Sequence, residues 1–124
     1  MEKENIYTQL RKLSPVVTGN LMRMRAETFK DSIIPAKYKI LSALAIVVAT
    51  KCEPCIRAYT RMAYETGVSK EELVETLNVV ITESGCPGEQ WAMKALEVYL
   101  DLERGGIVEE EACCKTEFGN EGKE

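Results

Sequence analysis

The segment 37–49 constrains the fold more than any other part of the chain. After three polar or amphipathic residues it is apolar nearly all round. The β-branched run 46–48 makes a strand the competing interpretation, but the length and the spacing of Leu41, Leu44 and Val48 favour a helix. A helix without a polar face is buried on every side, and a chain of 124 residues rarely achieves this alone. Association into a homo-oligomer is therefore expected.

Capping residues, prolines and glycines divide the rest of the chain into further helices. Ser14 precedes a proline at a first helical position, and Ser69 with Glu72 has the pattern of a capping box. Gly67 and Gly85 are placed to end helices. No two consecutive segments alternate with period two, so the predicted fold class is all-α. About six helices are expected, in the segments 4–13, 15–29, 37–49, 52–66 and 69–85 and from Pro87 to the glycines at 105 and 106.

The length is that of one domain, with a predicted internal division into three parts. Residues 1–34 are expected to form N-terminal helices that pack on the core, residues 35–106 the core itself, and residues 107–124 an acidic flexible tail. The net charge of −4 offers no basic stripe to nucleic acid. The longest apolar stretch, 40–49, is about half of what a bilayer requires, and the N-terminus shows no export signal. These features predict a cytoplasmic protein without membrane or nucleic-acid partners.

Five cysteines and no histidine limit the chemistry that this chain can perform. Cytoplasmic thiols are normally kept reduced, so the cysteines are expected to be redox, metal or packing residues and not a disulfide framework. The absence of histidine removes the usual general base and the commonest metal ligand. Any mechanism must work without an imidazole.

The spacing of Cys52 and Cys55 places two thiols within reach of one disulfide at the start of a helix. Unpaired N–H groups and the helix dipole favour a thiolate there, and position alone favours the more N-terminal Cys52 as the attacking sulfur. Lys51 and Arg57 add positive charge, which Glu53 opposes. The alternatives are neutral packing and half of a zinc site, which would need Cys86, the pair Cys113-Cys114 or carboxylates as further ligands.

The stretch from residue 35 to about residue 102 resembles the carboxymuconolactone decarboxylase and AhpD-like superfamily of small all-helical proteins. The shared pattern is a buried apolar helix, a CxxC that opens the next helix, and then a glycine, a capping serine and a Glu-rich helix. The resemblance covers more than half of the chain and is more specific than CxxC alone. Here the three parts read Lys39-Ile40-Leu41-Ser42-Ala43-Leu44-Ala45, Cys52-Glu53-Pro54-Cys55-Ile56 and Gly67-Val68-Ser69-Lys70-Glu71-Glu72-Leu73.

The resemblance implies an AhpD-like helical bundle that acts as an alkylhydroperoxidase or disulfide reductase and assembles as a homo-trimer or hexamer. Cys55 would be the peroxidatic thiol and Cys52 its resolving partner, with an external dithiol as reductant and a hydroperoxide or a protein disulfide as substrate. The family's glutamate and histidine relay falls here on Ile40 and Tyr59. The rival interpretations are a decarboxylase acting on a small lactone, and a non-catalytic helical oligomer whose cysteines bind metal or a partner.

Further residues are candidates for a catalytic role in place of the missing relay. Tyr59 lies one turn beyond Cys55 and could hydrogen-bond a thiolate, although a core aromatic residue is the simpler interpretation. Cys86 also sits at a helix start and could be a third reactive thiol, and Glu83 or Glu89 beside it could act as a base. Trp91 lies on the apolar face of its predicted helix, which fits a core residue better than one that lines a ligand-binding site. Glycines are too sparse for a phosphate-cradling loop, so no organic cofactor is expected, and Cys113-Cys114 is a candidate accessory redox pair.

Overall fold

The computed structural model describes residues 4–106 and confirms the all-α class. Within these residues there is no strand, and none of the helices is both long and apolar enough to cross a membrane. The predicted pair Cys113-Cys114 and the predicted tail lie outside the described residues. The helices are α1 (Ile6–Leu13), α2 (Pro15–Thr28), α3 (Ala36–Ala49), α4 (Glu53–Glu65) and α5 (Lys70–Glu103).

Residues 4–106 form five helices and not the six predicted, because the last two predicted helices are continuous in α5. The predicted break is nevertheless visible at Gly85, whose backbone angles of φ 66° and ψ −148° are not helical and belong to a region open essentially to glycine. Pro87 follows within the next turn. Only one residue departs from helical geometry, so the helix resumes at once and α5 consists of two arms joined at a kink.

Helices α3, α4 and α5 pack against one another and form the core. In α3 the burial is one-sided: Leu44 and Val48 are inaccessible, whereas Ile46 is 62% exposed in the single chain. The segment predicted to be buried on every side thus has a free face in the described chain. The buried hydrophobic residues of the three helices and their connections include Ile40, Leu41, Leu44, Val48, Ile56, Tyr59, Met62, Val68, Leu73, Leu77, Val80 and Tyr99.

Helices α1 and α2 contact each other and contain no buried residue. Phe29, which follows α2, links them to the core, since it is 6% exposed and its ring centroid lies 5.6 Å from that of Tyr59. The apolar side chains of the two helices are therefore largely exposed in the single chain, namely Ile6, Leu10, Leu13, Val16, Val17, Leu21 and Met24.

The predicted capping box at the start of α5 is present. The Ser69 hydroxyl accepts from the Glu72 N–H at 3.1 Å, and the Glu72 carboxylate accepts from the Ser69 N–H at 3.0 Å. Glu72 also forms an ion pair with Lys37 of α3 at 2.7 Å. The hydrogen bond with Lys37, and then those with Ser69, lower the pKa of Glu72, and the same carboxylate raises the pKa of Lys37. One carboxylate therefore caps α5 and ties it to α3.

The lowered pKa of Glu72 predicts an acid-dependent loss of stability. A carboxyl group whose pKa is lower in the folded chain stabilises the fold above its unfolded pKa of about 4.3 and loses that contribution as the pH falls through the folded value. We expect Glu72→Gln to reduce the difference in the free energy of unfolding between pH 7 and pH 3, measured by urea denaturation. Glu75→Gln, an exposed glutamate of the same helix, is the control. Identical reductions in both variants would contradict the assignment to Glu72.

Candidate active site

The turn between α3 and α4 places the first cysteine. The Cys52 N–H donates to the Val47 carbonyl at 3.0 Å and the Lys51 N–H to the Val48 carbonyl at 3.2 Å, the two bonds of a Schellman motif. Lys51 occupies the left-handed position of that motif with φ 61°, where glycine is usual, and is the only non-glycine residue of the described chain with positive φ. The same residue, Cys52, then serves as the N-cap of α4. The end of one helix and the start of the next fix this cysteine.

Cys52 and Cys55 are joined in a disulfide, with their Cα atoms 5.3 Å apart. Cys55 lies in the first turn of α4, and both cysteines are half-buried. Pro54 occupies one of the first two helical positions and stiffens this turn without requiring an N–H partner. The spacing of the two cysteines thus gives the geometry that the sequence predicts, with both sulfurs at the N-terminal, electropositive end of a helix.

The positions of the family's relay are occupied by buried side chains. Ile40 is 2% and Tyr59 is 7% exposed, and both belong to the core cluster against which Cys55 packs. The Tyr59 ring contacts Phe29. One side of the dithiol is therefore apolar core, and neither position supplies a carboxylate or an imidazole.

The other side of the first turn of α4 is charged. Glu53 is the first of the two residues between the cysteines. Its Oε1 lies 3.4 Å from an Arg57 guanidinium nitrogen and 3.6 Å from Nζ of Lys94. Lys94 belongs to the second arm of α5, and its Nζ lies 5.1 Å from the ring centroid of the half-buried Trp91. Trp91 and Arg57 could be named from the sequence, but Lys94 could not, because nothing in the sequence indicates that this surface of α5 meets the start of α4.

The second predicted cluster is solvent-exposed. Cys86 is a free thiol at the kink of α5, and Glu83 and Glu89 on either side of it are exposed. Within residues 4–106, no group of three or more cysteines, aspartates or glutamates is placed to hold a metal ion.

A largely apolar groove of about 560 Å³ opens between the two ends of α5. It contains none of the predicted site residues. Its lining residues come from the first turns of α5 and from its last ones, and they are Lys70, Glu71, Val74, Glu75, Leu96 and Leu100.

Comparison with known proteins identifies the class to which this fold and dithiol belong. Residues 15–98 match the model of the carboxymuconolactone decarboxylase family, which is more than half of the chain, so the chain belongs to that family. The resemblance noted in the sequence is thereby confirmed at the level of the family.

Two individual proteins are similar to the chain. The crystal structure of apo-lpg0406, a carboxymuconolactone decarboxylase family protein from Legionella pneumophila, superposes with a TM-score of 0.72 at 31% identity, covering 77% of this chain and 88% of that one. The uncharacterised protein H16_B0147 from Cupriavidus necator is 36% identical over 76 residues, which are 61% of this chain and 66% of that protein. The match thus spans slightly less than two thirds of this relative, and neither name states an activity.

Proposed function

We propose that this chain is a thiol–disulfide oxidoreductase of the AhpD-like type that reduces organic hydroperoxides with Cys52 and Cys55. The observation that carries the proposal is the disulfide between these residues, which lies at the start of α4 with both cysteines partly accessible. A disulfide that is accessible can be attacked by an external thiolate, and the resulting dithiol sits where the helix terminus favours the thiolate. A structural disulfide would gain little here, because it closes a very short loop.

The cycle begins when one thiolate attacks the terminal oxygen of the hydroperoxide. An S–O bond forms, the O–O bond breaks, and the alkoxide leaves with a proton as the alcohol. The second thiolate then attacks the sulfenic sulfur, the disulfide forms, and hydroxide leaves with a proton as water. An external dithiol restores both thiols and becomes oxidised to its own disulfide. Two electrons pass from the external dithiol to the hydroperoxide in each cycle, and no organic cofactor is needed.

The helix terminus and the family resemblance favour different sulfurs for the first attack. Cys52 is the N-cap, the position at which a side chain can accept from N–H groups of the first turn, so the helix terminus favours its thiolate. The family resemblance assigns the attack to Cys55, which packs against the core cluster. We adopt Cys55 as the peroxidatic sulfur, because Cys52 at the N-terminal end of the turn is then left to meet the external dithiol. Serine variants of the two cysteines distinguish the two assignments.

A protein disulfide is the second candidate substrate, and the residues at the relay positions favour it. Ile40 and Tyr59 are buried and provide no carboxylate or imidazole to protonate a leaving alkoxide. Thiol–disulfide exchange releases a thiolate, which is a much weaker base than an alkoxide and leaves without an acid catalyst. If this substrate is the physiological one, the same dithiol works without the relay.

Single-turnover oxidation tests the proposal. We expect reduced protein treated with one equivalent of cumene hydroperoxide to lose the mass of two hydrogen atoms, and peptide mapping to place the loss on a Cys52–Cys55 disulfide. Both cysteines fall in the tryptic peptide 52–57, so intact mass and one peptide report the reaction. The spontaneous reaction of free cysteine with the same hydroperoxide sets the background rate.

The alternatives give different results in the same experiment. If hydroperoxide leaves the peptide 52–57 reduced while a model protein disulfide oxidises it, protein disulfides replace hydroperoxides as the substrate class. If neither reagent oxidises the peptide faster than it oxidises free cysteine, the oxidoreductase proposal fails.

A further inference from the structure

Glu53 places a negative charge in the first turn of α4, where it disfavours the thiolate form of the dithiol. It is the first residue of α4 and lies between the two cysteines in the sequence. A carboxylate beside a thiol opposes the ionisation of that thiol. The helix N-terminus attracts the carboxylate and the thiolate alike, so the dithiol and Glu53 compete for the same positive end of the helix.

Two cations from different helices meet this single carboxylate oxygen. Arg57 is four residues further along α4, so its contact with Glu53 follows from the helix itself. Lys94 reaches the same Oε1 from the second arm of α5, and this contact depends on how the kinked helix packs. The aromatic face of Trp91, one turn earlier on α5, lies 5.1 Å from the Lys94 ammonium. Lys94 is therefore held at the first turn of α4 by two contacts of different kinds, one with Glu53 and one with Trp91.

We infer that Lys94 is a positioning residue for the dithiol, which keeps it reactive by drawing the charge of Glu53 away from Cys52 and Cys55. The inference rests on the proposed function and adds to it a residue outside the CxxC helix that affects the reactivity of the dithiol. Trp91 contacts the Lys94 ammonium, and Lys94 pairs with the Glu53 carboxylate. The positive end of α4 is then available to stabilise the thiolate. The kink at Gly85 turns the second arm of α5, so the activity of the dithiol depends on that arm.

The test measures how readily the reduced thiols react, without any peroxide. Lys94→Gln is expected to slow iodoacetamide alkylation of the peptide 52–57 at pH 7 by roughly threefold, the size typical of a partly exposed ion pair. The midpoint of the alkylation rate against pH is expected to move upward. Lys94→Arg keeps the charge and is expected to restore the rate and the midpoint. In 0.5 M KCl the difference between the wild-type protein and Lys94→Gln is expected to shrink, because salt screens the pair.

The matched control is Lys70→Gln. Lys70 is also on α5, its side chain is 44% exposed against 42% for Lys94, and it forms an ion pair of 3.5 Å with Glu103 instead of Glu53. We expect this variant to alkylate at the wild-type rate. Glu53→Gln is expected to speed alkylation, and in that background Lys94→Gln is expected to have little further effect, because the carboxylate through which it acts is gone.

Three results would overturn the inference: an unchanged alkylation profile in Lys94→Gln, no recovery in Lys94→Arg, or the same threefold loss when Glu53 is already glutamine. Circular dichroism of each variant identifies any loss of fold. If Lys94→Gln does not fold, the comparison of Lys94→Arg with the wild-type protein is the test. The redox equilibrium with dithiothreitol, followed in the same proteins, is a second readout. Neither measurement involves a hydroperoxide, so a failure of the hydroperoxide proposal is distinguishable from a failure of this one.

Discussion

Replacing Cys55 by serine is expected to lower steady-state hydroperoxide turnover by at least about a hundredfold, the scale of removing a nucleophile. Serine has the shape of cysteine, but its hydroxyl does not ionise near neutral pH and cannot be oxidised by a hydroperoxide. Cys52→Ser is expected to cause a similar loss for another reason, because a sulfenic acid at Cys55 then has no neighbouring thiol with which to close the disulfide. The measurement is hydroperoxide consumption with excess dithiothreitol as reductant.

The two variants differ in the intermediate that they leave behind. With Cys55 as the attacking sulfur, Cys52→Ser accumulates a sulfenic acid that dimedone labels at Cys55, and Cys55→Ser accumulates none at Cys52. The reverse pattern would transfer the attack to Cys52, which the helix N-terminus favours. A two-cysteine cycle also requires Cys86→Ser to retain most of the turnover. A loss comparable with that of the other variants would place the exposed thiol at the kink in the cycle and contradict the assignment to the dithiol alone.

The helices and their ends could be predicted from the sequence because the signals are local. Each of these signals depends on residues a few positions apart. They are the proline after Ser14, the capping box at Ser69 and Glu72, and the breaks at Gly67 and Gly85. Local signals do not determine whether the helix resumes beyond a break. The single non-helical residue at Gly85 therefore produced a kink within α5 where two separate helices had been predicted.

The site could be predicted only as far as its residues are neighbours in the sequence. The CxxC spacing gave the disulfide, and the family pattern gave the positions of Ile40 and Tyr59. The approach of Lys94 to Glu53 depends on the packing of α5 across α4, and an exposed-looking lysine in a helical segment carries no sign of it. The left-handed backbone of Lys51 could not be predicted either, because glycine is the residue that usually indicates this conformation. Long-range packing and unusual backbone conformations could therefore not be predicted from the sequence.

The largest stability effect is expected from Ile40, the core residue at the position of the family's relay glutamate. Ile40→Ala removes a side chain that is 2% exposed in α3, and such a change in a packed core costs about 2–5 kcal/mol of unfolding free energy through lost burial and the cavity left behind. The melting temperature of a domain of this size should fall by roughly 4 °C or more for each kcal/mol. Urea denaturation followed by circular dichroism gives the free energy directly.

Ile46→Ala is the matched control, since it makes the same change in the same helix at a side chain that is 62% exposed in the single chain. If that face of α3 meets only solvent, the variant should lose no more than about 0.5 kcal/mol. A loss as large as that of Ile40→Ala would mean that Ile46 is buried in the folded protein by something beyond this chain. Repeating both denaturations over a hundredfold range of protein concentration decides the point, because a face covered by a second copy makes the loss depend on concentration and a face in water does not. The one pair of isoleucines thus tests both the core of the single chain and the homo-oligomer that the apolar character of α3 predicts.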